Sequence, residues 1–133
     1  MTIPKFRAWT EEGEVMYYDV YPFKDDTLLL SYDEISFDEV PASDFILMQS
    51  TGLKDKNGTE IYEGDIVKYK YDDTNTLAEA VAYDEVLGGF GLVDNDAQGG
   101  CIFTFGELSE DIDFTSLEIV GNIYENPELL KGE

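Results

Sequence analysis

Histidine is absent from this chain of 133 residues, and there is a single cysteine, Cys101. The missing imidazole excludes Ser-His-Asp and Cys-His catalysis, histidine-ligated zinc and histidine proton shuttles within the chain. One thiol can form neither an internal disulfide nor a cysteine-only zinc site, which is typical of a protein in a reducing cytoplasm. Because Ile102 and Phe103 follow Cys101 and no cationic residue is near it in sequence, we expect an inert thiol packed in a strand.

Positive charge is scarce. Eight Lys and Arg residues stand against thirty Asp and Glu, which gives a net charge of -22. From Tyr71 to Leu130 there are fourteen acidic residues and no basic one. A chain with this charge is not expected to bind nucleic acid directly, because it cannot neutralise phosphates. We expect a well-hydrated, self-repelling protein whose charged partners are basic.

Long apolar segments are also lacking, so the sequence predicts neither a membrane-spanning helix nor an export signal. The chain is nevertheless 43% hydrophobic, with nine Tyr, eight Phe and one Trp. Aromatic and β-branched residues dominate this apolar set, which favours strands. We therefore expect a mainly β protein of one compact domain, or of one domain with a small lobe.

Turn-forming residues divide the chain into short apolar runs. We predict a hairpin turn over residues 10–13, a loop or irregular edge over 19–26, an exposed strand over 33–40 and a turn over 41–44. In the second half we predict strands over residues 65–71, 79–86, 89–94, 100–105 and 116–120, then a short terminal helix beginning at Pro127. We place a boundary near Gly52, between an N-terminal β lobe (residues 1–50) and an SH3-like β-barrel (residues 51–133).

Residues 50–71 are the most distinctive segment. Asn57-Gly58 and Gly64-Asp65 are turn signals, and the following run alternates so that Lys68 and Lys70 point away from Val67, Tyr69 and Tyr71. We expect the turn residues Asn57, Gly58, Gly64 and Asp65 to be structural.

This segment resembles the central signature of the YopX-like family of phage and prophage proteins. Two further passages resemble the opening hairpin and the closing motif of that family: residues 5–18 and residues 121–130. The resemblance spans residues 5–130 and implies an SH3-like barrel in the second half. It also implies a cytoplasmic accessory protein in a bacterial host cell, with no established activity, no catalytic residue and no cofactor.

An acidic surface is the candidate site. Carboxylates arrayed on strands can imitate the phosphate rows of DNA and so occupy a basic site on a host DNA-binding protein. A merely solvated surface accounts for the same composition. We expect any partner surface to include six acidic residues: Asp72, Asp73, Asp84, Glu85, Asp94 and Asp96.

A second hypothesis is an adaptor that binds an extended peptide of a host or phage protein in an aromatic groove, independently of charge. Its candidate residues are Tyr62, Tyr69, Tyr71 and Tyr83, although tyrosines commonly cover strands in the same way without binding anything. Homo-oligomer formation through strand edges is an intermediate alternative, opposed by the charge of each subunit.

A third hypothesis is an enzyme that uses paired carboxylates or a divalent ion. The run from Asp94 to Gly99 resembles the start of a calcium loop, but Phe105 stands where the bidentate Glu of such a loop is required. A polar turn explains this run better. We therefore expect a non-enzymatic protein that needs no metal and acts by binding another macromolecule.

Overall fold

The protein divides into two compact units, Met1–Ser50 and Thr51–Glu133. The computed structural model describes residues 5–31, 33, 35–70, 74, 76–84, 88–94, 101–104 and 116–131. Within these residues the regular structure consists of strands and short 3₁₀ turns, so the prediction of a mainly β protein is confirmed.

Strands of the first unit are β1 (Phe6–Thr10), β2 (Val15–Pro22), β3 (Thr27–Leu30) and β4 (Asp38–Pro41). β5 (Ile46–Lys54) begins in the first unit and ends in the second. The second unit adds β6 (Glu60–Tyr62), β7 (Asp65–Lys70), β8 (Thr76–Asp84), β9 (Gly89–Asp94), β10 (Cys101–Thr104) and β11 (Glu118–Asn122). Short 3₁₀ turns occupy Ala42–Asp44 and Pro127–Lys131, the second where a terminal helix was predicted.

The first antiparallel sheet has the strand order β4-β3-β2-β1-β5-β6. One face of its β1–β3 part packs into a core made of Ala8, Val20, Leu28 and Leu30. These residues fall on one face because side chains alternate along a strand and Val20 lies directly opposite Leu30. The turn predicted between β1 and β2 is present.

Two predictions for the first unit are wrong in part. A loop or irregular edge was predicted over residues 19–26, but β2 continues to Pro22, lies inside the sheet and pairs with β3 through Val20, Tyr21 and Pro22. The strand predicted over residues 33–40 starts only at Asp38. Before that point the carboxylate of Asp33 accepts hydrogen bonds from nearby backbone N–H groups, and such a local turn competes with strand pairing.

The second antiparallel sheet has the order β10-β9-β8-β7-β11. Alternation in β7 follows the prediction, with Val67 and Tyr69 buried and Lys68 and Lys70 exposed. The core of this unit consists of six buried side chains, packed against by Phe90 and Ile119: Ile61, Val67, Tyr69, Val81, Leu92 and Leu117.

This second sheet is not closed into a barrel in the described part of the chain. β10 and β11 are its two edges, and the pairs that the structure gives link only neighbours in the order above. The SH3-like closure expected from the sequence is therefore not part of the described fold.

A buried carboxylate, that of Asp55, joins the turn after β5 to β11. Its Oδ1 accepts the N–H groups of Asn57 and Thr59, both at 2.9 Å, and its Oδ2 accepts the N–H of Ile119 at 3.0 Å. The backbone N–H of Lys56 donates to the carbonyl of Leu117 at 2.8 Å. One side chain therefore satisfies a tight turn and fixes a strand distant in sequence.

Hydrogen bonding also sets the ionisation of Asp55. Burial raises the pKa of its carboxyl, but the N–H groups of Ile119, Thr59 and Asn57 lower it by more, aided by the charge of Lys56. The pKa consequently lies below its ordinary value of 3.8. The ionised form accepts all three hydrogen bonds, so this carboxylate is engaged in the fold and is not a proton donor near neutral pH.

Asn122 organises the closing motif in a similar way. Its buried Oδ1 accepts the N–H groups of Tyr124 at 3.0 Å and Glu125 at 2.8 Å, while its Nδ2 donates to the Glu125 carboxylate at 2.8 Å. The N–H of Asn126 donates to the Asn122 carbonyl at 2.8 Å. A side chain that both donates and accepts is needed here, which an amide provides.

Gly121 leaves the space that Asn126 fills. A Cβ atom at position 121 would lie 2.5 Å from Oδ1, 2.8 Å from Cγ and 2.9 Å from Cβ of Asn126. Because the close atoms include the Cβ atom, rotation of the amide alone would not relieve the overlap. The glycine is therefore required by packing.

Replacing Asp55 should destabilise the protein. We expect Asp55→Ala to lower the free energy of unfolding at pH 7 by roughly 2–3 kcal/mol, because three N–H groups lose a charged acceptor. Asp25→Ala removes an exposed carboxylate and should change it by less than about 0.5 kcal/mol. Urea unfolding followed by circular dichroism measures both.

Because the folded-state pKa of Asp55 is depressed, the stabilisation that its carboxylate gives exists above pH 3.8 and disappears as pH falls through the folded-state pKa. Equal stability of the two variants at pH 7 would contradict this assignment.

The contact between Gly121 and Asn126 predicts a non-additive pair. Gly121→Ala should cost about 1–3 kcal/mol through overpacking. Asn126→Gly removes every overlapping atom, so the double variant should be more stable than the sum of the two single effects by about 1 kcal/mol. Strict additivity in the same unfolding assay would show that the predicted overlap does not occur.

Candidate functional site

The acidic surface predicted from the sequence falls largely outside the described residues. Asp72, Asp73, Glu85 and Asp96 lie outside them altogether. The backbone of Asp84 ends β8 opposite Gly89, and that of Asp94 ends β9 opposite Cys101, but their side chains are not among those described. This partner surface stays a prediction. The packing expected for the Cys101 side chain and most of the calcium-loop-like run also fall outside the described part.

The tyrosines proposed for an aromatic groove do not form one shared surface. Tyr62 and Tyr69 are buried, Tyr69 in the core of the second unit, where its hydroxyl donates to the Glu79 carboxylate. Tyr83 is 44% exposed and packs edge-on against Phe90, with ring centroids 5.0 Å apart. Tyr71 lies outside the described residues. A groove that needs Tyr62 and Tyr69 at the surface is therefore not formed, because their rings are used in packing.

The turn residues of the signature segment have structural roles. Gly58 and Gly64 adopt φ angles of +82° and +86°, which residues with a side chain rarely adopt. The buried carboxylate of Asp65 accepts the Tyr62 N–H at 2.8 Å across the second turn. Gly64 donates to the Val81 carbonyl and accepts from the Ile123 N–H, both at 2.8 Å. These contacts explain the motif by folding alone.

The outer side of the first sheet has an unexpected composition. Tyr21, Leu29 and Glu39 lie in one row across β2, β3 and β4, on the side opposite the core. Phe37 shares this side by strand alternation, and the Phe23 N–H extends the β2–β3 pairing by donating to Thr27. We call the side formed by Tyr21, Phe23, Leu29 and Phe37 the outer aromatic face. A solvated sheet face is ordinarily polar, whereas these four side chains are aromatic or aliphatic.

The three rings of the outer aromatic face are accessible. Tyr21 is 46% exposed, Phe23 53% and Phe37 43%. The centroids of Tyr21 and Phe37 are 5.7 Å apart with the planes tilted by 60°. A pair of exposed rings in contact, such as Tyr21 and Phe37, marks an interaction site more often than single exposed residues do.

A cation already lies on this face. The Lys24 ammonium is 5.5 Å from the centroid of the Phe23 ring and 3.9 Å from the Glu39 carboxylate. Lys24 is also the one basic residue between positions 19 and 39, where there are seven acidic residues. The outer aromatic face therefore combines exposed rings with an excess of negative charge.

Asp33 organises the described part of the connection from β3 to β4. Its Oδ1 accepts the N–H groups of Ile35 and Ser36, both at 2.9 Å, and its carboxylate also accepts from the hydroxyls of Ser31 and Ser36. The backbone N–H groups of Ser36 and Ile35 hold the pKa of the Asp33 carboxyl below its ordinary value of 3.8. The turn exposes 85% of Ile35, two positions before Phe37.

The described residues offer neither a metal site nor a membrane-spanning helix. Their acidic side chains form no group of three or more that could hold a metal ion. Their helical segments include none with the length and hydropathy needed to cross a membrane.

Sequence reasoning missed the outer aromatic face because it assigned residues 19–26 to a loop or irregular edge. A signal was present. Asp19, Tyr21 and Phe23 alternate with Val20 and Pro22, which indicates a strand with apolar groups on both sides. What the sequence does not contain is the pairing of Tyr21 with Leu29 and of Leu29 with Glu39, which brings the ring of Tyr21 close to that of Phe37, just before β4.

Titration should report the turn at Asp33. Because its folded-state pKa is lowered, the hydrogen bonds to Ile35 and Ser36 should persist above pH 3.8 and weaken as pH falls through that lowered value. We expect the amide chemical shifts of both residues, measured by NMR, to titrate with a midpoint below 3.8. Asp33→Asn should abolish this titration. A midpoint above 3.8 would show that these amides do not bind the ionised carboxylate.

Comparisons with known proteins agree with this architecture. A family model described as YopX protein matches residues 5–131. No curated protein matches the chain. The crystal structure of protein EF1440 from Enterococcus faecalis is 31% identical, with a TM-score of 0.62, and the match covers 98% of this chain and 99% of that one. Since the family model covers nearly the whole chain, the protein belongs to the YopX family.

Proposed function

We propose that this YopX-family protein acts by binding a basic macromolecular partner and catalyses no reaction. In this proposal it is an accessory protein of a phage or prophage and works in the cytoplasm of the bacterial host. The observation that supports binding most directly is the outer aromatic face, where Tyr21, Phe23 and Phe37 are each about half exposed. Exposing aromatic carbon to water has no stabilising role in the folded chain, so a partner that covers it is the simplest explanation.

Charge supports the basic character of the partner. With thirty acidic and eight basic residues, the protein repels nucleic acids and acidic proteins and attracts basic ones over a range set by salt. The acidic DNA mimic is a special case, since the surface of a host protein that binds DNA is itself basic. Both versions predict association that weakens as ionic strength rises.

An SH3-like class remains our proposal for the second unit. Four consecutive strands form a meander, β7 to β10, and β11 lies beside the first of them. This order is the one that an SH3-like barrel uses, with β10 and β11 as the edges that closure would bring together.

Affinity capture from bacterial lysate tests the proposed function. At about 0.1 M salt we expect retained proteins with isoelectric points above about 9, and their amounts should fall severalfold at about 0.5 M because exposed charges are screened. Capture of acidic partners that is unaffected by salt would contradict the proposal. A matched control is the Phe23→Ser, Phe37→Ser double variant, which keeps the net charge and separates charge attraction from contact with the rings.

A further inference from the structure

We propose that the outer aromatic face binds a Lys- or Arg-containing segment of the partner protein, with each cation placed over an aromatic ring and beside a carboxylate. This inference rests on the proposed function, because it names the site at which the basic partner is recognised. The occupant is an extended basic segment whose aliphatic side-chain stems lie on the rings.

Register across three strands builds the site. Tyr21 on β2 faces Leu29 on β3, and Leu29 faces Glu39 on β4, so an apolar strip ends at a carboxylate. Phe37 packs against Tyr21, and Phe23 continues the strip beyond the end of β2. A single Arg or Lys side chain of the partner, bound here, could therefore contact an aromatic ring and a carboxylate at the same time.

Lys24 shows the binding mode within the chain itself. Its ammonium lies over Phe23 at 5.5 Å while staying 3.9 Å from Glu39, so one cation contacts both elements of the site. The first unit contains a second ring-bound cation, the buried Arg7 guanidinium, 5.9 Å from the ring of Tyr18. A partner that supplies further cations would repeat this contact on Tyr21 and Phe37.

Carboxylates that could pair with such cations lie in the same strands and loops: Glu39 is on the face itself, whereas Asp38 opposes the core residue Leu30 and lies on the other side of the sheet. Asp33 is not counted among them, because its oxygens already accept the hydrogen bonds of its own turn. The other acidic residues described between positions 19 and 39 are exposed or half-buried: Asp19, Asp25, Asp26, Asp38 and Glu39. A single lysine in this stretch leaves a clear excess of negative charge for a basic ligand.

Other occupants fit less well. A second copy of the chain would bring another charge of -22 to an acidic face, which repulsion opposes. Addition of a strand from a second copy along β4 would meet Asp38, Glu39 and Pro41, residue types that discourage edge pairing. A nucleic acid would place phosphates against the carboxylates. A basic peptide segment satisfies both the rings and the charge.

NMR titration of the full chain with defined peptides tests the site. The probe is the amidated and acetylated peptide Gly-Arg-Leu-Arg-Leu-Arg-Gly, and its control has Glu in place of each Arg. At about 0.1 M salt the Arg peptide should shift the resonances of Tyr21, Phe23 and Phe37, and the Glu peptide should not. Equal binding of both peptides would overturn the proposal.

Ring variants separate this site from general charge attraction. Phe23→Ser with Phe37→Ser should weaken the Kd about tenfold, and Phe23→Leu with Phe37→Leu should do so as well, because leucine keeps apolar surface but has no ring. Tyr83→Ser removes an equally exposed ring of the second unit and should leave the Kd unchanged. The conservative leucine variants guard against a loss caused by misfolding.

Lys24 allows the opposite prediction. Lys24→Gln vacates the Phe23 ring and the Glu39 carboxylate, so the Arg peptide should bind about two- to fivefold more tightly. Lys54→Gln, an exposed lysine of the second unit, makes the same change in net charge and should alter the Kd by less than about 1.5-fold. If the Kd of the Arg peptide fell equally in the two variants, the change in net charge alone would explain it, and the proposed site would be rejected.

The remaining outcomes distinguish this site from the proposed function. If the Arg peptide binds but shifts resonances elsewhere, with a Kd that the ring variants do not change, the proposal of a basic partner is kept and this face is rejected as its site. If no cationic peptide binds at about 0.1 M salt, both proposals fail. If Tyr21, Phe23 and Phe37 shift with protein concentration alone, the occupant is a second copy and the proposal is overturned.

Discussion

Three backbone N–H groups converge on the carboxylate of Asp55, two from its own turn and one from Ile119, which is 64 positions later in the chain. The second unit depends on this convergence because β11 is the edge strand that returns to pair with β7, and its first residues are held by the turn after β5. Asn122 then holds the chain after β11 in the same way. Side chains with several acceptors replace regular pairing where strands end.

Polar side chains that hold the fold together are engaged and are therefore poor candidates for binding a partner. The segments that make the family recognisable are occupied with internal hydrogen bonds and turns, so their distinctiveness is explained by folding. The surface that we propose for binding lies instead in the first unit, on β2 and β3 and beside β4. There a core of Val20, Leu28 and Leu30 covers one side while aromatic rings face water on the other. An apolar surface on both sides of these strands favours a further covering partner, and we propose that the surrounding negative charge selects a basic one.

Much of the fold follows from local sequence. Alternation in β7, the glycine turns and the terminal 3₁₀ turn from Pro127 were all predictable, because each depends on neighbours in sequence. The positions at which strands begin and end were less predictable from local sequence. The outer aromatic face could not be predicted, since it requires Tyr21 and Phe37 to meet across an intervening strand. The role of Asp55 could not be predicted either, because its third hydrogen bond comes from a strand distant in sequence. Nothing in the local run Lys54-Asp55-Lys56 indicates that bond.

The central claim is that the signature holds the fold together and the outer aromatic face binds the partner. Hydrogen–deuterium exchange of the full chain with and without the Arg peptide tests both parts in one measurement. The account predicts slow exchange at the Ile119 amide in both states and added protection in β2, β3 and β4 when the peptide is bound. Protection gained around Asn57 and Ile119, with none gained in β2 to β4, would contradict it and assign binding to the signature segment.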